Sequence, residues 1–390
     1  MQLQRIYLDN GATSYPKAPL VGDAVKHFIE NVGSNVNRSG YALTQTAEEI
    51  VFATREEIGH LFNFAQSENV IFTLNVTYAL NFLVQGILQP GDHCIVSSME
   101  HNAVMRPLMQ LRERGVEFSR VPCDKKGRLR PQDLYKYIRT NTKLVVMTHA
   151  SNVCGTILPV EEVGKICADN KLIFVVDVAQ TAGILPIDYK KIKAHALAFT
   201  GHKGLLGPQG VGGFLLEDSI ASTMCTLISG GTGSLSEYEE QPPYLPDKFE
   251  AGTLNLPGIY GLHAALKYIN KVGIDYIREK EMHLAKMLLA GLGNIRGVRV
   301  VGLMGIQGRT AVISVDFKGY DNADVAYRLD KYYGIKTRCG LHCAPSAHRT
   351  LGTFPQGTVR FSPSHFNTEK EIKITLSALH KALKDLGGTG

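Results

Sequence analysis

No segment of this chain approaches the roughly eighteen uninterrupted apolar residues that a membrane-spanning helix needs. The opening residues, MQLQRIYLDNGATSYPK, lack a basic region followed by an apolar core, so no secretory signal is expected. Dense blocks of lysine or arginine are also missing. The net charge of +6 comes from cations dispersed among acids, which gives no reason to expect a nucleic acid partner. Seven cysteines, an odd number scattered through apolar segments, do not make a disulfide framework and point to a reducing cytoplasm. There is no internal repeat, no low-complexity tract and no G-x-G-x-x-G after a first strand. That last absence removes a dinucleotide-binding dehydrogenase.

What is present is a long chain of ordinary globular composition, 390 residues with 44% apolar and 20% charged. The length suffices for two domains or for one large core with a smaller attachment. The segments NVIFT (69–73), HCIVSS (93–98), EFSRVP (117–122), KLVVMTH (143–149), LIFVVD (172–177), ALAFT (196–200) and VGGFLL (211–216) read as buried strands. Helical patterns at 102–114, 131–140 and 160–170 lie between several of them. This alternation predicts an α/β fold with a mostly parallel central sheet and helices on both faces. Past residue 254 two long helical patterns (256–272 and 275–293) precede strands at 298–301, 311–317 and 358–362, with helices near 321–333 and 368–385. That order predicts a smaller α+β unit. The irregular stretch 230–253 is long enough to be functional.

In a parallel sheet, ligands gather outside the carboxyl ends of the strands. Polar residues follow those ends here: Asn75 and Thr77, His101, Asn152, Asp177 and Gln180, then Thr200, His202 and Lys203. Thr77 with the N–H groups of the turn around Val76, together with Thr200 and His202, could cradle a phosphate at a helix N-terminus. Asp177 suits a protonated ring nitrogen, and His101 could stack on a ring or move a proton. Lys203, set in TGHKGLLG, could form a Schiff base if its pKa falls. Pyridoxal 5′-phosphate requires those four elements together. The glycines flanking Lys203 would let backbone approach the cofactor.

A second group lies in KTRCGLHCAPSAH (336–348) and TVRFSPSHFNT (358–368). Arg360 alternates with Val359 and Phe361, so it faces away from the apolar side and could clamp a carboxylate. Cys343 sits between Gly340 and Pro345, beside His342 and near Arg338, where positive charge would favour its thiolate. Cys339, His342, Cys343 and His348 also suggest a metal-binding scaffold. They lack a second well-spaced pair, however, and no metal site is assigned.

The segments YLDNGATSYP (7–16), MEH (99–101), HASNVCGT (149–156), VVDVAQ (175–180), TGHKGLLGPQGVGG (200–213), FEAGTLN (249–255) and RCGLHCA (338–344) closely resemble the class V aminotransferase family, and within it the cysteine desulfurases. The last segment is similar to their second group, which includes selenocysteine lyase-like members. The resemblance implies a fold-type I pyridoxal phosphate enzyme acting in the cytoplasm as a homodimer. It implies a large domain over 16–260 and a small one formed by 1–15 and 261–390. By the same resemblance Lys203 would hold the cofactor as an imine, with His101 stacked on its ring, Asp177 at its nitrogen and Gln180 at its phenolic oxygen. Thr77, Thr200 and His202 would bind its phosphate, and Thr253 would reach it from a partner subunit. Arg360 and Asn152 would hold the substrate carboxylate, with Arg338 and Asn37 as further substrate contacts.

The implied reaction takes L-cysteine to L-alanine. Lys203 would act as base, His101 would assist proton transfer, and Cys343 would carry the sulfur as a persulfide for an unidentified acceptor protein. A selenocysteine lyase, or a transaminase with an idle Cys343, is the nearest alternative. Two departures stand out. The family's Gly-Thr-Thr-Glu phosphate turn is NVTY (75–78) here, and the family's histidine before Arg38 is Asn37. The segment CAPSAHRTLGTFPQG (343–357) also differs from the better-known members and implies a divergent subfamily.

Overall fold

In the computed structural model, residues 5–36 and 42–387 are described. Asn37 lies outside them. The first strand, β1 (Ile6–Tyr7), does not join the sheet built next in the chain. That sheet comprises β2 (Val70–Thr73), β3 (His93–Ser97), β4 (Glu117–Val121), β5 (Thr142–Thr148), β6 (Ile173–Asp177), β7 (Ala196–Thr200) and β8 (Gly212–Leu216). Its spatial order is β2-β8-β7-β6-β5-β3-β4. The run from β7 to β4 is parallel throughout, whereas β8 pairs antiparallel with both β7 and β2.

Side chains on a strand alternate between faces, and here each face meets its own apolar cluster. Ile95, Val145, Met147, Phe174, Val176, Leu197 and Phe199 pack with the helices Ala42–Leu61, Val160–Asp169 and Leu256–Val272. Cys94, Val96, Leu144, Val146, Val175, Ala196 and Ala198 pack with the helices Val76–Ile87 and Asn102–Arg112. A sheet buried on both sides gains about 1.5–3 kcal/mol from each fully covered large apolar side chain. Burial on both faces is also why its strands read as continuous apolar runs.

The helical pattern at 131–140 forms only a 3-10 turn, Pro131–Lys136, in which Leu134 alone is buried. One covered side chain gives too small an apolar face to hold a longer helix.

The remaining strands are β9 (Val298–Val301), β10 (Ile313–Phe317), β11 (Ile335–Lys336), β12 (Arg338–Gly340) and β13 (Thr358–Phe361). A four-stranded antiparallel sheet, in the order β12-β13-β10-β9, is covered by the helices Ile274–Gly293, Asn322–Tyr333 and Glu369–Asp385. Strand β1 pairs with β11, and Ile6 and Leu8 lie in this same apolar cluster. The segment after β1 is thereby drawn across to the carboxyl ends of the central sheet. His202 O there accepts from Ser14 N–H at 2.9 Å. Among the described residues no helix is long and apolar enough to cross a membrane.

Candidate active site

Lys203 follows β7 in a turn and is half-buried. Among the described residues its amine has no hydrogen-bond or ion-pair partner. Burial brings its pKa down from 10.5 to about 8; Asp177 opposes that fall, while Arg360 and Arg338 add to it. The neighbouring glycines serve the chain's own packing: a Cβ on Gly204 would stand 2.4 Å from Ala182 O.

Asp177 closes β6 and is buried, with one carboxylate oxygen accepting from Ala179 N–H at 2.9 Å. Burial raises its pKa, and Lys203 partly offsets the rise. His101 caps the helix Asn102–Arg112, its Nδ1 accepting from Ala103 N–H at 3.0 Å. That bond places the proton of the neutral ring on Nε2. Burial, then Lys203, Arg338 and Arg360, lower its pKa to about 3, so the ring is neutral.

Thr200 and His202 flank this centre with polar atoms left over. Among the described residues the buried Thr200 Oγ1 and His202 Nδ1 have no hydrogen-bond partner, and burial followed by Lys203 and Lys17 lowers the His202 pKa to about 4. Thr200 pairs with Gly212, and a Cβ on Gly212 would lie 2.9 Å from Asn75 Cα, so the turn opening the helix Val76–Ile87 sits against β7 and β8. In that turn the Asn75 carboxamide accepts from the N–H groups of Thr77 and Tyr78 at 3.0 and 3.3 Å. Val76 is half-buried and Thr77 exposed. Gln180 shares with Lys203, Asn10 and Ser362 the wall of a cavity of about 30 Å³, and its amide donates to Gly11 O at 3.0 Å. Thr253 is exposed and lines a separate cavity of about 210 Å³ with Tyr78 and Phe249. It is therefore not brought to Lys203 of its own chain.

The cleft is closed from the C-terminal side. Arg360 is 2% exposed on β13, while Val359 and Phe361 turn into the apolar cluster, as the alternation predicted. Its Nη2 donates to Asp9 at 2.8 Å and its Nη1 to Asn152 O at 3.1 Å, and among the described residues Nε has no partner. Arg338 stands opposite it across the β12–β13 ladder. Two guanidiniums facing one carboxylate leave positive charge for an anionic ligand.

The amide of Asn152 donates to His342 O at 2.7 Å, and Asn102 N–H donates to Cys343 O at 2.8 Å. Those two bonds hold the loop on which Cys343 is exposed. His342 and Cys343 both adopt left-handed backbone, with φ of 48° and 57°. This is an uncommon conformation for residues other than glycine and one that such anchoring sustains. The thiol lies close enough to Lys203 to raise that amine's proton affinity.

His342 does not supply the charge expected of it beside this thiol. Its ring is buried against Thr358 at 3.0 Å, and burial, with Arg360, His348 and Arg338, lowers its pKa to about 2. Nor do Cys339, His342, Cys343 and His348 assemble: among the described residues no group of three or more His, Cys, Asp or Glu side chains could hold a metal ion.

Two participants were not assigned from the sequence. Asp9 neutralises Arg360 across 351 positions. Glu100, fully buried, joins the ends of β3 and β5 by accepting from Ser97 Oγ and from Thr148 N–H at 3.0 Å. Both lie inside segments that carried the family resemblance, YLDNGATSYP and MEH, and that position was the available signal.

Residues 6–374 match the family described as Aminotransferase class-V. A probable cysteine desulfurase of Methanothermobacter thermautotrophicus is 34% identical over 99% of this chain and 95% of its own length. A probable cysteine desulfurase of Pyrococcus abyssi is 34% identical over 98% of this chain and 95% of its own. Among solved structures, the apo cysteine desulfurase of Thermococcus onnurineus superposes with a TM-score of 0.90 at 32% identity, covering 98% of this chain and 95% of that one. The Escherichia coli cysteine desulfurase CsdA superposes with a TM-score of 0.86 at 28% identity, covering 97% and 94%.

Proposed function

The chain belongs to the class-V aminotransferase family, among its cysteine desulfurases, and from that premise we propose that Lys203 holds pyridoxal 5′-phosphate and that Cys343 receives sulfur from L-cysteine as L-alanine leaves. The observation that carries this reading is the convergence, on one unpartnered lysine amine, of Asp177, His101, two arginines and an exposed thiol. The residues present fit the cofactor. Thr200 Oγ1 and His202 Nδ1 are buried hydrogen-bonding atoms without partners, a costly state that a phosphate would relieve. Asp177 would pair with the ring nitrogen, and Lys203 offers a free amine for the covalent link. When bound, the cofactor supplies an electron sink that acidifies the substrate Cα–H and weakens the bond from Cβ to sulfur.

The chain's own groups then have defined work. A lysine with a pKa near 8 is partly neutral at neutral pH and can take a proton from Cα. Arg360 and Arg338 would hold the substrate carboxylate and so orient the substrate for reaction. Cys343 attacks the substrate sulfur as thiolate. The new S–S bond forms as the bond from Cβ to sulfur breaks, and the electron pair stays with Cβ. A proton on that carbon completes the methyl group of alanine, and His101 holds one at Nε2. Asn152 acts here through His342 O, keeping the thiol loop over the site. The surface position of Thr253, away from Lys203 of its own chain, supports its serving a second copy.

Alanine and sulfide release from L-cysteine, measured with dithiothreitol on wild type and Cys343→Ala, tests the proposal. Wild type should turn over, and the variant should lose cysteine activity by at least about a thousandfold. Full activity in Cys343→Ala would contradict it. Cysteine turnover lost with selenocysteine cleavage retained would assign a lyase instead.

A further inference from the structure

Between Asp330 and Glu369 the chain contains no aspartate or glutamate, and the loop bearing Cys343 lies within that stretch. The surface around it carries further cations. The helix Asn102–Arg112 starts at the thiol loop, where Asn102 N–H meets Cys343 O, and extends about 15 Å from it at 1.5 Å per residue. Along it, Arg106 and Arg112 are exposed. The helix Pro345–Leu351 begins two residues after Cys343. Thr350 Oγ1 donates to Ser98 Oγ at 3.0 Å, and Ser98 Oγ also accepts from Cys123 N–H at 3.0 Å. That one serine ties the helix to the end of the edge strand β4, which brings Arg349 beside Arg120. Those two guanidiniums lie over exposed or half-exposed rings, Arg349 4.1 Å from the Phe354 centroid and Arg120 4.9 Å from that of Phe118. Lys125 Nζ comes within 3.8 Å of where a Cβ on Gly352 would be.

Among the described residues none of Arg106, Arg112, Arg120, Lys125 and Arg349 makes an ion pair. Of the nearby acids, Asp124 pairs with Arg128 and Glu117 with Arg139. Glu113, beside Arg112 and Arg114, makes no ion pair among the described residues and offsets part of this positive charge. A set of like charges left unpaired beside a thiol is costly to the lone protein, and an oppositely charged face would relieve it.

Resting on the sulfur-transfer reading above, we propose that this face docks an acidic protein surface that carries the accepting cysteine. The occupant is a protein because the second half-reaction requires a thiol. The acceptor thiolate attacks the terminal sulfur of the Cys343 persulfide, and a new S–S bond forms on the acceptor. The bond between Cys343 Sγ and that sulfur breaks, its electron pair stays on Sγ, and the proton lost by the acceptor thiol is available to it. Nucleic acid would meet the charge but offers no thiol.

The test uses the holoenzyme with excess L-cysteine and three thiol peptides of equal length, each with one cysteine flanked by glutamates, by serines or by lysines. At low ionic strength sulfur transfer to the glutamate peptide should exceed that to the lysine peptide at least tenfold, and the ratio should shrink as salt shortens the screening length. The Arg120→Gln, Arg349→Gln double variant should lose most of that ratio while its turnover with dithiothreitol stays unchanged. Equal rates for the three peptides, or a ratio untouched by the double variant, would overturn the inference. So would peptides of equal rate together with polyuridylate binding that the double variant loses, which would make the face a nucleic acid surface. Absence of alanine formation with dithiothreitol would overturn the sulfur-transfer reading and this inference with it. Alanine formation without charge preference would overturn this inference alone.

Discussion

Lys203 carries its charge where no carboxylate touches it, and the cost of that burial sets a testable pH dependence. The folded chain releases this proton near pH 8 and the unfolded chain near 10.5. Between those values the unfolded state binds more protons, so this group's contribution makes stability rise with pH through the window, and its penalty is complete below pH 8. Replacing Lys203 with Met should therefore stabilise the cofactor-free protein at pH 7, by at most about 3 kcal/mol. That gain should fade as pH rises toward 10.5. Urea unfolding at pH 7 and pH 10 measures it, and a gain that grows with pH would contradict the assignment. Asp9 poses a different question, since its carboxylate fixes the Arg360 fork at 2.8 Å. Hydrogen bonds to charged groups contribute about 1.5–3 kcal/mol, so Asp9→Ala should raise KM for L-cysteine by about tenfold or more. The effect on kcat should be smaller. A lowered kcat at unchanged KM would instead place Asp9 in the chemical step.

The turn after β5 shows how elements, more than single side chains, hold the cleft in register. Arg309, fully buried, donates to Cys154 O at 3.2 Å, to Val312 O at 2.6 Å and to Leu303 O. It ties the SNVCGT turn to the strand entering the second sheet. Gly155 in that turn has φ of 75°, and a Cβ there would stand 2.4 Å from Val312 O. Gly155→Ala should cost about 2–4 kcal/mol by combining left-handed strain with a backbone clash. Because Asn152 is in the same turn, activity should fall more than the loss of folded protein explains. Thermal unfolding and activity per folded molecule separate the two effects, and a variant as stable as wild type would show that the turn relaxes freely. Local pattern made much of this scale readable: β3, β5, β6 and β7 announce themselves because both of their faces are covered, and the direction of Arg360 follows from Val359 and Phe361. The 131–140 segment misled because a helical pattern with one buried residue has nothing to pack. The antiparallel course of β8 was hidden because strand direction leaves no mark on composition.

At the scale of the whole molecule the site exists only where two sheets meet. The central sheet presents Asp177, Lys203 and His101 at its carboxyl ends, and the antiparallel sheet brings Arg360, Arg338 and the Cys343 loop over them. The residues on each side could be picked out from strand ends and glycine-bounded loops. The ties between the sides could not, since Asp9 with Arg360 and Asn152 with His342 O span 351 and 190 positions. Contacts of that separation follow from topology, and a single sequence gives no local sign of them. In the proposed reaction the amine from one sheet and the thiol loop from the other act on the same substrate. The direct measurement is mass spectrometry of the Cys343 peptide after L-cysteine is added to the cofactor-loaded protein and the product is alkylated. Wild type should carry one additional sulfur on Cys343, and Lys203→Ala none. Sulfur on Cys343 in the Lys203 variant, or sulfur found only on Cys339 in wild type, would contradict the account.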